Sequence, residues 1–320
     1  MKNRHTILLC LTFFLPLLTH IQAQTPSDAI MMKQWESCFG LIYEHSTFEE
    51  YWEGTKLRAN GTIATVKRNT VLPMIAIGIF DRLNLIVAAP YVQTASTEPN
   101  GGYFEGAKGF QDLSLALKGE IMNRQIGPGK LALLATAAYS TPMTNYLSDY
   151  RPYSIGFGAN EFTLRGIAQY QFNNGIYIRG AGAYLWRGQT RVERDYYYNN
   201  GSYYTPWMDV PDAWNYNAVA GIWLLDNALK IEANYTGLKS TSGDDVRPYN
   251  AAQPTNKVAF DQIGLVAQYY LSKPKGFGVL AYFSQVVSGR NSSKSSIFGA
   301  GLTYQFSVKK QESEPTDRNF

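Results

Sequence analysis

Hydrophobic and polar residues alternate along this chain with a period of two, in segment after segment from residue 38 to residue 306. Stretch 295–306, S-S-I-F-G-A-G-L-T-Y-Q-F, shows the pattern well. Phe298, Ala300, Leu302, Tyr304 and Phe306 fall on one side; Ile297, Gly299, Gly301, Thr303 and Gln305 fall on the other. Such a period describes a β-strand with one apolar face and one small or polar face. An aromatic ends the stretch at Phe306. Closing strands of outer-membrane barrels end this way, with the last ring in the interfacial girdle.

Twelve strands are expected, over 38–52, 62–80, 83–92, 110–123, 130–141, 161–172, 176–187, 214–224, 228–239, 257–271, 277–287 and 295–306. Their connections alternate in length. After even-numbered strands they are short (81–82, 124–129, 173–175, 225–227, 272–276), and after odd-numbered strands long (53–61, 93–109, 142–160, 188–213, 240–256), with 288–294 the short exception. Short periplasmic turns opposite long extracellular loops, on an even number of strands, define an outer-membrane arrangement. The expected fold is therefore all-β: a transmembrane, antiparallel, up-and-down barrel of about twelve strands.

Parity then assigns the faces. The fourth strand sets Leu113, Leu115, Leu117 and Ile121 against Asp112, Ser114, Lys118 and Glu120. The sixth sets Phe162, Leu164, Ala168 and Tyr170 against Glu161, Thr163, Arg165 and Gln169, and the ninth sets Leu229, Ile231, Ala233 and Tyr235 against Lys230, Glu232 and Asn234. Charges on a lipid face cost about 2–4 kcal/mol at mid-membrane, so the polar sets face the lumen. Asp112, Lys118, Glu120, Glu161, Arg165, Lys230 and Glu232 are the candidate lumenal charges, read either as an ion pathway or as cross-strand pairs that hold the wall together.

The ends set the boundaries. M-K-N-R-H followed by the apolar run 6–18 reads as a secretory signal over 1–23, with a mature start at Gln24. Residues 24–37 form a short periplasmic or lumenal segment, 38–308 the barrel and 309–320 a polar tail. An amphipathic helix is expected within 24–36, around Ile30, Met31, Met32 and Trp35. Lys2 and Arg4 fall in the leader, leaving 27 basic against 25 acidic residues, a balance that predicts no nucleic-acid partner. Past the leader there is one cysteine, Cys38, and one histidine, His45, which excludes an internal disulfide and most zinc and histidine-based chemistry. No cofactor or metal is expected.

Three segments carry a resemblance: G-I-F-D-R-L-N-L-I-V-A-A-P-Y-V (78–92), G-F-Q-D-L-S-L-A-L-K-G-E-I (109–121) and S-I-G-F-G-A-N-E-F-T-L-R-G-I-A-Q-Y-Q-F (154–172). Together they resemble the outer-membrane β-barrel family labelled "MetA-pathway of phenol degradation", transporters distantly like the FadL long-chain fatty-acid channels. The resemblance extends from about Phe39 to Phe306 and implies passage of small hydrophobic or aromatic compounds. This chain departs from FadL in having only about a dozen residues ahead of the first strand, too few for a hatch of that kind.

His45 and Ser46 are neighbours on a strand and point to opposite faces, so they do not act as a pair unless the strand is bulged. A surface or girdle histidine is the expectation. Loop 187–216 holds Tyr196, Tyr197, Tyr198, Tyr203, Tyr204, Trp207 and Trp214 with Arg191 and Arg194, either a collector of apolar solutes or the outer girdle and the loop's own core. If Asp81-Arg82 is a two-residue turn, Pro73 lies opposite Pro90, with the missing N–H groups facing the first and fourth strands. Asn84 marks that parity as lumenal, which puts Ile75, Ile77, Ile79, Ile86 and Ala88 inside. This apolar patch wants a partner, either the N-terminal segment as a plug or a hydrophobic solute. The two prolines would open a lateral exit beside it.

Three functions follow in order of preference. The first is a porin-like outer-membrane channel passing small hydrophobic or aromatic compounds passively. The second is a structural or surface-binding barrel with a filled lumen, and the third a lipid-active enzyme. The expected partners are outer-membrane lipid, a small hydrophobic solute and, through Phe306, the barrel-assembly machinery.

Overall fold

The computed structural model describes residues 24–193, 197–198, 202–245 and 256–308. The expected leader 1–23 and the tail 309–320 lie outside them, as do Arg194, Tyr196 and the side chains of Tyr197, Tyr198 and Tyr203. Twelve antiparallel strands form the wall among the described residues. They are β1 (Glu36–Phe48), β2 (Val66–Phe80), β3 (Leu83–Ala88, resuming as Tyr91–Ser96), β4 (Asp112–Ile126), β5 (Gly129–Pro142), β6 (Glu161–Phe172), β7 (Ile176–Arg187), β8 (Ala213–Leu224), β9 (Leu229–Ser240), β10 (Ala259–Tyr270), β11 (Phe277–Arg290) and β12 (Ser296–Ser307). Each pairs with the next. The barrel closes because β1 pairs with β2 on one edge, through Leu41↔Pro73, and with β12 on the other, through Leu41↔Leu302. Closure leaves no strand edge unpaired, which a bilayer demands.

The outer surface is apolar. Leu115, Leu117, Leu164, Ile178, Leu265 and Leu302 are all 42% exposed or more. Rings gather at the two ends: Tyr304 stacks on Phe306 at the short-turn end, and Tyr184 packs against Trp186 and Trp214 at the long-loop end. Trp214 thus joins the girdle. Over the long-loop end, Ile63, Val66 and Tyr153 form a small core with Phe48 and Phe104.

Two expectations are corrected. Residues 24–35 contain no helix. The run Thr25-Pro26-Ser27-Asp28 is turn-forming, and the Asp28 carboxylate accepts from the N–H groups of Thr25 (2.5 Å) and Ile30 (2.9 Å), so the side chain takes donors a helix would need. The β2–β3 register is also one residue off. After the Phe80↔Leu83 pair, a bulge puts Gly78 opposite Asn84. Pro73 therefore faces Ala89, not Pro90, and its carbonyl accepts the Ala89 N–H at 3.2 Å. One extra residue inverts the parity of everything beyond it. Pro73, Ile75 and Ile77 consequently take the lipid-facing parity of Phe39 and Leu41, their neighbours on β1. Ile86, with Met74, Ala76, Ala116 and Ala138, lines the lumen instead.

Candidate functional site: a plugged lumen

Residues 24–35, ahead of β1, lie in the barrel at the short-turn end, with Gln24 to Met32 folded there as a closed loop. Asn84, on β3 and fully buried, clamps both ends of it. Its Oδ1 accepts from Gln24 Nε2 (2.8 Å) and from the Met32 N–H (2.9 Å), and its Nδ2 donates to the Met32 carbonyl (2.9 Å). Lys118, the cross-strand partner of Asn84 on β4, pegs the middle. The Lys118 ammonium donates to the carbonyls of Thr25 and Ile30, each at 2.9 Å, and to Asp28 Oδ1 at 2.6 Å. Further up, Thr136 on β5 donates to the Pro26 carbonyl at 3.0 Å. Ala29 and Met31 pack on Ala132, Leu134, Ile167 and Ala181 of β5–β7, while Ile30 and Met32 pack on Cys38 of β1. Where the plug leaves the lumen it lies flat on β2. A Cβ at Gly78 would come within 1.9 Å of the Lys33 carbonyl oxygen, so that position admits only glycine without displacing the plug.

The opposite wall fills its side of the lumen with side chains. Tyr177, Val219, Trp223 and Tyr270 form a buried cluster on β7, β8 and β10. Above it Glu232 accepts from Tyr177 Oη (2.6 Å) and Arg179 (3.0 Å), with Lys230 at 3.9 Å and its ammonium over the Trp223 ring. Arg179 and Lys230 also act electrostatically on Asp28, so the plug tip is attracted from both sides of the barrel.

On the long-loop side of the plug lies a polar chamber of about 180 Å³, lined by Pro26, Ser114, Thr136, Glu161, Thr163 and Arg165 among others. The charged side chains in and beside it are hydrogen-bonded. Arg187 reaches Glu161 at 2.6 Å, Arg165 donates to Asn215 at 2.9 Å, and Asp112 accepts from Tyr146 Oη at 2.7 Å. In the loop above, burial and the neighbouring Arg187 lower Arg151 to about 10. A larger concavity, about 670 Å³, is on the lipid face of β5–β9, where Ala168, Gly180, Ala218, Ala220 and Ala233 thin the wall.

The expected lumenal charges thus sit in separate places. Lys118 holds the plug, Lys230 and Glu232 join Arg179 across from it, Glu161 and Arg165 line the chamber, and Asp112 is bonded to Tyr146 of the long loop between β5 and β6. Glu120 is near the turn, 3.8 Å from Arg82. His45 is away from all of them, on β1 with Nδ1 2.6 Å from Asn69 Oδ1. Sequence reasoning missed Asp28, Thr136, Tyr177 and Arg179. The turn run at 25–28 is the one sequence signal for Asp28; on β7, Tyr177 and Arg179 have the parity opposite to the lipid-facing Ile176 and Ile178, which marks them as lumenal.

The wall is irregular beside the lumenal apolar cluster. β3 breaks at Ala89-Pro90, and β4 is offset by one residue between Ser114↔Ala88 and Phe110↔Tyr91. Gln111 is the extra residue: its N–H goes to the Pro90 carbonyl at 2.9 Å and its carbonyl accepts from Met143 on the other side, also at 2.9 Å.

No family model matches the sequence, and no curated protein matches it significantly. Solved structures do. A crystal structure of an outer membrane channel from Pseudomonas putida F1 superposes with a TM-score of 0.70 at 12% identity, covering 89% of this chain and 100% of that one. The transport unit of the autotransporter AIDA-I from Escherichia coli gives 0.46 at 9% identity, over 88% and 95% of the two chains, and the NanC porin 0.46 at 7%, over 82% and 98%. The last two scores carry no argument. The first, with the closed twelve-stranded wall, defines the class: an outer-membrane β-barrel.

Proposed function

We propose that this protein is a plugged channel of the bacterial outer membrane that passes small hydrophobic or aromatic compounds without an energy source, and that its leader is cleaved on export. The observation that carries the reading is the pairing of a blocked axis with an irregular wall. Polar solutes taking the axial route meet the loop of residues 24–32, pinned by Asn84 and Lys118. An apolar solute has a second route. It gains little from a charged chamber, but Met74, Ala76, Ile86, Ala116 and Ala138 offer it an apolar surface inside. Next to that surface the β3–β4 seam lacks the N–H of Pro90 and carries the Gln111 bulge. The β1–β2 ladder is continuous from Ser37↔Ile77 to Phe48↔Val66, so Pro73 contributes no opening there. The lateral exit is at Pro90 alone.

Flux into liposomes tests this. Toluene should equilibrate faster across vesicles containing the protein than across empty ones, and glucose should not. Pro90→Val returns an N–H to the seam and should slow toluene while leaving heat-modifiable migration unchanged. Equal toluene flux for the variant and the wild type would remove the lateral route.

A further inference from the structure

Every hydrogen bond of the Lys118 ammonium goes to the plug, and the side chain has no exposure. Plug withdrawal would therefore leave a cation in the lumen with none of its present partners. Its surroundings are basic. Around the plug tip, Lys118, Arg179 and Lys230 face two carboxylates, Asp28 and Glu232; without the plug, Glu232 alone remains. Beside this charge is hydrocarbon. Ala116, two residues from Lys118 on the same face, pairs across the seam with Ile86, and both belong to the cluster with Met74, Ala76 and Ala138.

A buried cation next to an apolar wall matches one ligand chemistry, a carboxylate on an apolar or aromatic body. We propose that Lys118 is a latent site for such an acid, and that Asp28 occupies it in the plugged state as an internal substitute for the ligand carboxylate. Resting on the channel reading above, this names both a substrate class and a trigger. The acid competes with Asp28 for the same ammonium, so its binding favours the withdrawn plug. A neutral analogue of equal length makes no bid for Lys118 and leaves the plug where it is.

The test uses the full chain in nanodiscs, with Cys38→Ser removing the native thiol and Ala29→Cys reporting the plug. Labelling of this position by a charged maleimide requires the plug to leave. Octanoate should speed labelling about tenfold and octanol should not. In Lys118→Met, where basal labelling is already raised, octanoate should add nothing, and it should still add nothing in Lys118→Met with Asp28→Asn, where part of the plug's hold returns. Asp28→Asn, which leaves the barrel wall untouched, should raise the basal labelling rate and lower the octanoate concentration needed. Equal responses to octanoate and octanol, an octanoate effect that survives Lys118→Met, or an unchanged concentration dependence in Asp28→Asn would each overturn the proposal. Flux is measured separately in liposomes. Absent flux of either compound would remove the channel reading, while octanoate-specific labelling would still establish the site.

Discussion

Lys118→Met should release the plug and spare the barrel. Methionine keeps most of the volume of the side chain but removes three charge-assisted bonds, to Asp28 Oδ1 at 2.6 Å and to two plug carbonyls at 2.9 Å. The cost is set by what stays behind. Asp28 is 5% exposed and would be left as a carboxylate facing a thioether. Removing one member of a buried ion pair costs about 3–5 kcal/mol. Each 1.4 kcal/mol is a factor of ten, so the ratio of plugged to withdrawn protein should fall by roughly a hundred- to several-thousand-fold. The wall does not share that loss, because the Lys118 ammonium makes no hydrogen bond to it. Hydrogen exchange reads the difference: the Ile30 amide, bonded to Asp28 Oδ1, should lose protection, while amides of the β5–β6 ladder keep theirs. Adding Asp28→Asn should recover part of the protection, since the orphaned carboxylate is the expensive group. Unchanged Ile30 exchange in Lys118→Met would refute the reasoning, and so would equal loss in plug and wall.

Gly78→Val should force the plug off β2, because its Cβ would come 1.9 Å from the Lys33 carbonyl oxygen; raised trypsin cleavage at Lys33 with intact heat-modifiable migration is the expected outcome. Asn84→Leu should loosen both ends of the plug at once, with three bonds lost. At about 1 kcal/mol for each bond, Met32 amide exchange should quicken by two orders of magnitude or so. Phe306→Asp removes a ring stacked on Tyr304 at the end of the closing strand and should lower the yield of folded barrel in the outer membrane. Wild-type yield would show that the terminal girdle ring is dispensable.

The barrel was legible because its signals are repeated. Twelve stretches of alternating residues and the alternation of short and long connections all point one way, and a boundary error in one strand does not alter the pattern. The hairpin register was not legible, since it turns on whether Ile79 is paired. A bulge there leaves the sequence pattern looking regular while swapping Ile75 and Ile77 to the lipid side. Apolar residues on both faces of β2 gave nothing to detect the swap. The plug was half legible. Its apolar residues marked it as a segment seeking cover, but its shape depends on Asp28 and on two wall residues, Asn84 and Lys118, far along the chain. Lys118 was recognised as lumenal by parity; that it serves the plug rather than a neighbouring strand depends on three-dimensional proximity.

If residues 24–32 close a lumen that the wall would otherwise leave open, removing them opens it. Single-channel recording in planar bilayers tests this directly, comparing the wild type with a chain lacking 24–32. The wild type should show a small conductance and the deletion a stable, several-fold larger one. A deletion protein that folds with the conductance of the wild type would contradict it, and would place the block in the side chains of the wall.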